Sequence, residues 1–259
     1  MKEAKTQIYQ ETADIETASE EYASRFDGPI GEWMLKVQED IVLDTVSKLQ
    51  VETILDVGGG HGQLADPLSR AGYSVTVIGS DQICANRIQA LVEQGQLDFE
   101  TGDLVHLPYE DKQFDLVLCF RFVSHCQRWK QLISELCRVA SRHVIIDYPT
   151  WQSVNIASPL LFKLKRNIEK NTRTYTLFSH RQIKTEFIEN DFSVTKRENQ
   201  FALPMALHRA LKKTSLSEFA ETTCRTLGLT RILGSPSILL ASDSDIETDA
   251  LGSSAEKSK

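Results

Sequence analysis

An α/β fold organised around a parallel sheet is the architecture this 259-residue chain predicts. Short apolar runs alternate with segments of helical spacing, the pattern of βαβ units. A glycine cluster stands directly after the first of those runs, where a strand would turn into a helix. The apolar and charged fractions, 41% and 25%, are those of a globular chain rather than a disordered or fibrous one.

The first twenty residues are acidic and weakly patterned. The stretch "EYASRFDGPIGEWMLKVQEDIVLDTV" then joins aromatic side chains to a helix placed to pack on the first strand. Strands are predicted at 53–57, 74–78, 97–101, 114–119 and 143–147. A helix over 63–71 starts just after the glycines and stops at Gly72, a residue suited to a helix C-cap. A second, over 131–140, puts Leu132, Ile133, Leu136 and Val139 on one face. After Tyr148-Pro149 the rhythm changes to helices, a strand at 192–198, helical stretches at 205–213 and 216–227, and a last strand in "PSILLAS". Beyond Ser242 the chain is too polar to join a core and reads as a disordered tail. The division that results is an N-terminal helical segment at 1–48, a sheet core at 49–150, a helical insert at 151–190, a completion of the sheet at 191–242 and the tail at 243–259.

A net charge of −7 disfavours a nonspecific nucleic-acid binder. Cys84, Cys119, Cys126, Cys137 and Cys224 are odd in number and lack a CxxC pair, which suits reduced thiols and neither a disulfide framework nor a metal site. The amino terminus has no apolar signal-peptide core and no run is long enough to span a bilayer, so a cytoplasmic location is expected. The basic amphipathic stretch "LLFKLKRNIEKNTR" fits a solvated cap helix, with peripheral membrane contact or an anionic ligand as the other readings. No pattern fixes an oligomeric state.

The glycine cluster is "DVGGGHG", from Asp56 to Gly62. Glycine admits backbone angles and close approaches that a side chain forbids, and a strand–glycine–helix junction is where such sheets receive nucleotide-like ligands. A β-branched residue at Gly60 is therefore expected to enter ligand space. Two cofactor classes fit. Gly60-x-Gly62-x-x-Ala65 with Asp81 downstream can be laid on the dinucleotide fingerprint of nicotinamide-dependent oxidoreductases.

The other reading is a resemblance: Asp56, Gly58, Gly60 and Gly62 are similar to the first motif of small-molecule class I S-adenosylmethionine-dependent methyltransferases. It continues through "GDLVHLPYEDKQFDLVLCFRFVSHCQRWKQLISELCRVASRHVIIDYP" and covers about residues 22–147. It implies a Rossmann-like, seven-stranded, mostly parallel sheet with helices on both faces and an antiparallel last strand. In that family the acid at Asp56 helps hold the methionine amino group, with the loop backbone against the cofactor. Asp103 would meet the adenine amino group and Leu104 the ring. Phe120 and Arg121 would line the reacting pocket. The ribose acid belongs near Gly79, so either Asp81 reaches back or Ser80 and the backbone substitute. Where many relatives carry a Pro-Gly-Gly turn before strand five, this chain has "ASRHVII".

The resemblance also makes residues 1–48 a lid, with Tyr22 and Arg25 closing on the methionine end, and the 151–190 insert a cover for a small organic acceptor. His125 is the candidate general base, since a protonated nucleophile gains from one. Arg121 suits an anionic acceptor group through its planar fork, and Asp147 and Tyr148 lie at the ligand-bearing edge to orient or stack on the acceptor. A noncatalytic S-adenosylmethionine-binding protein would keep the glycines without turnover.

Overall fold

The computed structural model describes residues 11–153, 175–211 and 213–246. Seven strands form one sheet: β1 (Thr53–Val57), β2 (Ser74–Gly79), β3 (Asp98–Thr101), β4 (Phe114–Cys119), β5 (Ala140–Tyr148), β6 (Phe192–Asn199) and β7 (Ser237–Asp243). Their spatial order is β3-β2-β1-β4-β5-β7-β6. Strands β1 to β5 pair in parallel, and β7 inserts antiparallel between β5 and β6.

Both faces of the central strands are covered, which is why they read as near-continuous apolar runs instead of alternating ones. One face carries Leu55, Val117 and Ile146 against Leu132, Ile133 and Leu136 of α6 (Trp129–Val139) and Ile183 and Phe187 of α7 (His180–Glu189). The other carries Ile54, Val77, Leu118 and Ile145 against Ile41, Val42 and Val46 of α3 (Pro29–Val46) and Leu68 of α4 (Ala65–Arg70). Ahead of α3 lie two short helices, α1 (Ala13–Thr17) and α2 (Glu20–Ala23). A short α5 (Gln89–Glu93) precedes β3, and α8 (Met205–Leu211), α9 (Thr214–Thr226) and α10 (Leu229–Leu233) lie between β6 and β7.

Two boundaries differ from the sequence reading for local reasons. α6 passes into β5 with no intervening turn, because Ala140 already has extended angles and pairs with Phe114 across a register shift, so β5 starts at Ala140 rather than 143. At the other end, β7 continues one residue past Ser242. Asp243 is buried, and its carboxylate accepts from Lys112 Nζ at 2.9 Å and from the Asp245 amide at 3.0 Å. The basic stretch 160–173 of the expected insert lies outside the described residues.

Candidate cofactor and acceptor site

The carboxyl ends of β1, β2, β4 and β5 meet along one edge of the sheet. After β1 the chain turns on Gly58 and Gly62, both with φ of +74°, and the Gly58 amide donates to the Ile78 carbonyl at 2.8 Å. A methyl group at Gly59 would collide with the Asp56 carboxylate, and one at Gly60 with the Cys84 carbonyl. The Gly60 finding corrects the expectation that its side chain would first enter ligand space: the close approach there is loop against loop.

Asp56 is fully buried, and neither of its carboxylate oxygens has a partner among the described residues. Burial pushes its pKa up to about 7, with the Arg121 charge acting in the opposite direction. His61, in the same loop, accepts from the Gln63 amide at 3.2 Å through Nδ1 and keeps a buried, unpartnered Nε2. Burial holds that imidazole well below its ordinary pKa, so it is neutral. An unpaired buried carboxylate costs several kcal/mol, of order, unless a ligand supplies donors or a proton neutralises it. The loop thus fits a ligand that brings an ammonium group to Asp56.

At the end of β2 the Ser80 amide and hydroxyl donate to the two oxygens of Asp14 at 2.7 and 2.6 Å, and Cys84 Sγ donates to the same carboxylate at 3.2 Å. Asp14 belongs to α1 and is buried. Asp81 caps the following turn by accepting from the Ile83 amide at 2.9 Å. After β3, Asp103 accepts from the Val105 amide at 3.1 Å and pairs with His106 Nδ1 at 3.0 Å, while Leu104 is buried in the core.

Phe120, after β4, is buried against the α3 side of the sheet. Arg121 follows it with φ of +58°, a left-handed conformation. Its amide donates to Asp147 Oδ1 at 2.6 Å, and its Nη2 donates to Gln38 Oε1 at 3.1 Å. Gln38 Nε2 in turn donates to Asp147 Oδ2 at 3.3 Å. The guanidinium lies 4.8 Å from the centre of the Phe26 ring. Burial raises the pKa of Asp147, and the amide and charge of Arg121 oppose that shift.

A cavity opens beside this triangle. Its lining includes the polar Tyr22, Gln38, Arg121, Ser124, His125, Asp147, Tyr175 and Gln200 and the apolar Phe26, Met34, Leu35, Phe201 and Met205. His125 and Tyr175 face each other with ring centres 5.5 Å apart. Tyr22, Arg121, His125 and Asp147 are therefore brought together, while Asp56, Gly58, Gly60, Gly62 and Ser80 gather around the neighbouring loop.

Two expected residues lie elsewhere. Arg25 pairs with Glu16 at 3.1 Å and lies over the Tyr22 ring, outside the cavity lining. Tyr148 is fully buried, shares a hydrogen bond of 2.9 Å with His180 Nδ1 and packs edge-on against Phe178. Strand alternation explains it: with Asp147 facing the cavity, its neighbour must face the other side.

Sequence reasoning passed over Asp14, Gln38, Phe201 and Met205. For Gln38 a signal existed. Ile30, Met34, Gln38, Ile41 and Thr45 are the buried stripe of α3, and an amide on that stripe needs partners.

A sheet of this order, with an antiparallel strand inserted between the last parallel ones and a glycine loop after β1, is the Rossmann-like fold of methyltransferases. Residues 55–146 match the family described as Methyltransferase domain. Demethylmenaquinone methyltransferase of Deinococcus radiodurans is 32% identical over 103 residues, which are 37% of this chain and 43% of that protein. Norajmaline N-methyltransferase of Rauvolfia serpentina is 33% identical over 136 residues, 50% of this chain and 45% of that protein. The chain spans less than half the length of either. Among solved structures, magnesium protoporphyrin IX methyltransferase of Synechocystis with bound SAH aligns with a TM-score of 0.59 at 18% identity, covering 88% of this chain and 96% of that one. The [4+2]-cyclase SpnF shares the fold with a TM-score of 0.54 at 18% identity, over 80% of this chain and 79% of that one.

Proposed function

We propose that the chain is an S-adenosylmethionine-dependent enzyme that transfers a methyl group to a small organic acceptor. The observation that carries this reading is Asp56: a buried carboxylate with two unpartnered oxygens, under a glycine turn, inside the stretch that matches the methyltransferase domain. When bound, the cofactor supplies a sulfonium methyl that is already electrophilic, so the protein's task is mainly positioning. Asp56 holds the ammonium group, and the Gly58, Gly60 and Gly62 backbone admits the methionine portion. Ser80 and Asp81 stand at the ribose end, Asp103 and Leu104 at the adenine, and Phe120 beside the reacting atoms.

The acceptor enters the adjoining cavity. His125 lies on its wall as the candidate base, and Asp147 orients the acceptor through the Gln38 and Arg121 bonds it already makes. Free thiols at all five cysteines support a reducing, cytoplasmic setting. The match over residues 55–146 favours S-adenosylmethionine over the nicotinamide reading of the loop.

Because the fold also serves a cyclase, binding and turnover need separate measurements. Calorimetry should give micromolar affinity for S-adenosylhomocysteine and none for NAD. Labelled methyl from S-adenosylmethionine should then appear in an added small acceptor. Binding of NAD without S-adenosylhomocysteine would remove the reading, and cofactor binding with no transfer to a broad acceptor panel would leave a noncatalytic binder.

A further inference from the structure

The acceptor cavity has one permanently charged cation on its wall, among the described residues, and that cation is incompletely bonded. A guanidinium carries five N–H donors in a fixed fork. In Arg121, one bond to Gln38 Oε1 is the side-chain hydrogen bond made among the described residues. The nearby acid does not fill the fork. Asp147 Oδ1 is taken by the Arg121 backbone amide and Oδ2 by the Gln38 amide, so Gln38 stands between the two charges. The centre of the Phe26 ring lies 4.8 Å from Arg121 Cζ, and the ring offers it no hydrogen-bond acceptor in the plane of the fork. Among the other lining residues, Met34, Leu35, Phe201 and Met205 offer apolar surface beside the polar Gln200 and Tyr175.

We infer that the acceptor is an apolar molecule carrying a carboxylate, and that the Arg121 fork reads that carboxylate. A planar anion is the partner whose geometry matches two parallel guanidinium donors. Gln38 and Phe26 are positioning residues that hold the fork at the correct angle. The anion is assigned to the acceptor because Arg121 lines the cavity together with Phe201 and Met205; its charge also reaches Asp56 in the glycine loop, so the measurement must separate the acceptor's carboxylate from the cofactor's. This inference rests on the methyl-transfer reading above.

The test uses the full chain saturated with S-adenosylhomocysteine, titrated with naphthalene-2-carboxylate and with 2-naphthamide, which share a shape and differ in charge. The wild type should bind the acid about 10- to 100-fold more tightly than the amide, the range expected of charge-assisted bonds. At pH 8.5, above the titration of Asp56, Arg121→Gln should abolish that preference while leaving affinity for S-adenosylhomocysteine within about threefold. Arg121→Lys, which keeps the charge and loses the fork, should fall between the two. Gln38→Glu should also weaken the acid selectively, since it sets a carboxylate against the fork.

Equal affinity for acid and amide, or no binding of either, overturns the inference and leaves the cofactor reading intact. A loss of S-adenosylhomocysteine affinity in Arg121→Gln, with an unchanged melting profile, overturns it by assigning the fork to the cofactor's own carboxylate. Failure of the wild type to bind S-adenosylhomocysteine overturns both readings together.

Discussion

At the scale of single residues, Asp56 gives the site a pH dependence with a definite sign. Its pKa is raised to about 7 in the folded chain, above its ordinary value of 3.8. The folded state therefore holds a proton that the unfolded state gives up. The associated stability is fully present below about pH 4 and is lost as pH rises through 7. Asp56→Asn should accordingly melt higher than wild type at pH 8 and at nearly the same temperature at pH 3.5, in scanning calorimetry. Binding an ammonium group requires the ionised form. Affinity for S-adenosylhomocysteine should thus rise about tenfold per pH unit from 5 to 7 and level off above, with a proton released on binding at pH 6. A flat profile in wild type would separate Asp56 from the ammonium group. The position of Asp56 at the ligand-bearing end of β1 is legible from its place between an apolar run and the glycines, and the role proposed for it comes from the family resemblance. The Gln38 contact is not, because its partner Asp147 lies 109 residues away and only the assembled sheet edge brings them together.

At the scale of elements, the docking of α1 against the end of β2 depends heavily on one side chain. Asp14 accepts three hydrogen bonds, from the Ser80 amide, the Ser80 hydroxyl and Cys84. Asp14→Ala leaves the buried Ser80 groups without that acceptor, which should cost about 1–3 kcal/mol in urea unfolding and speed hydrogen exchange at the Ser80 amide. Gly60→Ala should lower stability as well as cofactor affinity, by about 1–3 kcal/mol, because the added methyl meets the Cys84 carbonyl. A variant as stable as wild type would show that the two loops part easily. The strands flanking this junction were readable from their apolar runs, since both faces of the sheet are covered. The bounds of the first two helices were not, although a helical segment was expected there, because α1 and α2 are short and acidic; α1 is held by the distant Asp14 bonds and α2 by its local Ser19 cap. The early start of β5 was hidden for a related reason: a helix that becomes a strand without a turn leaves no glycine or proline to mark the change.

At the scale of the whole molecule, the sheet order places every candidate loop on one edge, and the antiparallel insertion of β7 between β5 and β6 completes the framework. No helix of the described residues is long and apolar enough to cross a membrane, and no cluster of potential metal ligands occurs among them. The periodicity of the sequence foretold parallel strands, but the pairing of β7 with both β5 and β6 joins segments too far apart for any local pattern to encode. That rigid frame can hold a residue in a conformation it would not choose alone. Arg121 sits at φ of +58°, where a branched or long side chain costs roughly 1–2 kcal/mol and asparagine or glycine rests more easily. Arg121→Asn relieves that strain but gives up the Gln38 bond and the charge beside Asp147, so it should melt within about 2–4 °C of wild type while losing transfer activity. In a library randomised at position 121, survival of heating alone should tolerate asparagine and glycine beside arginine, and arginine should become the required residue only when turnover is also selected.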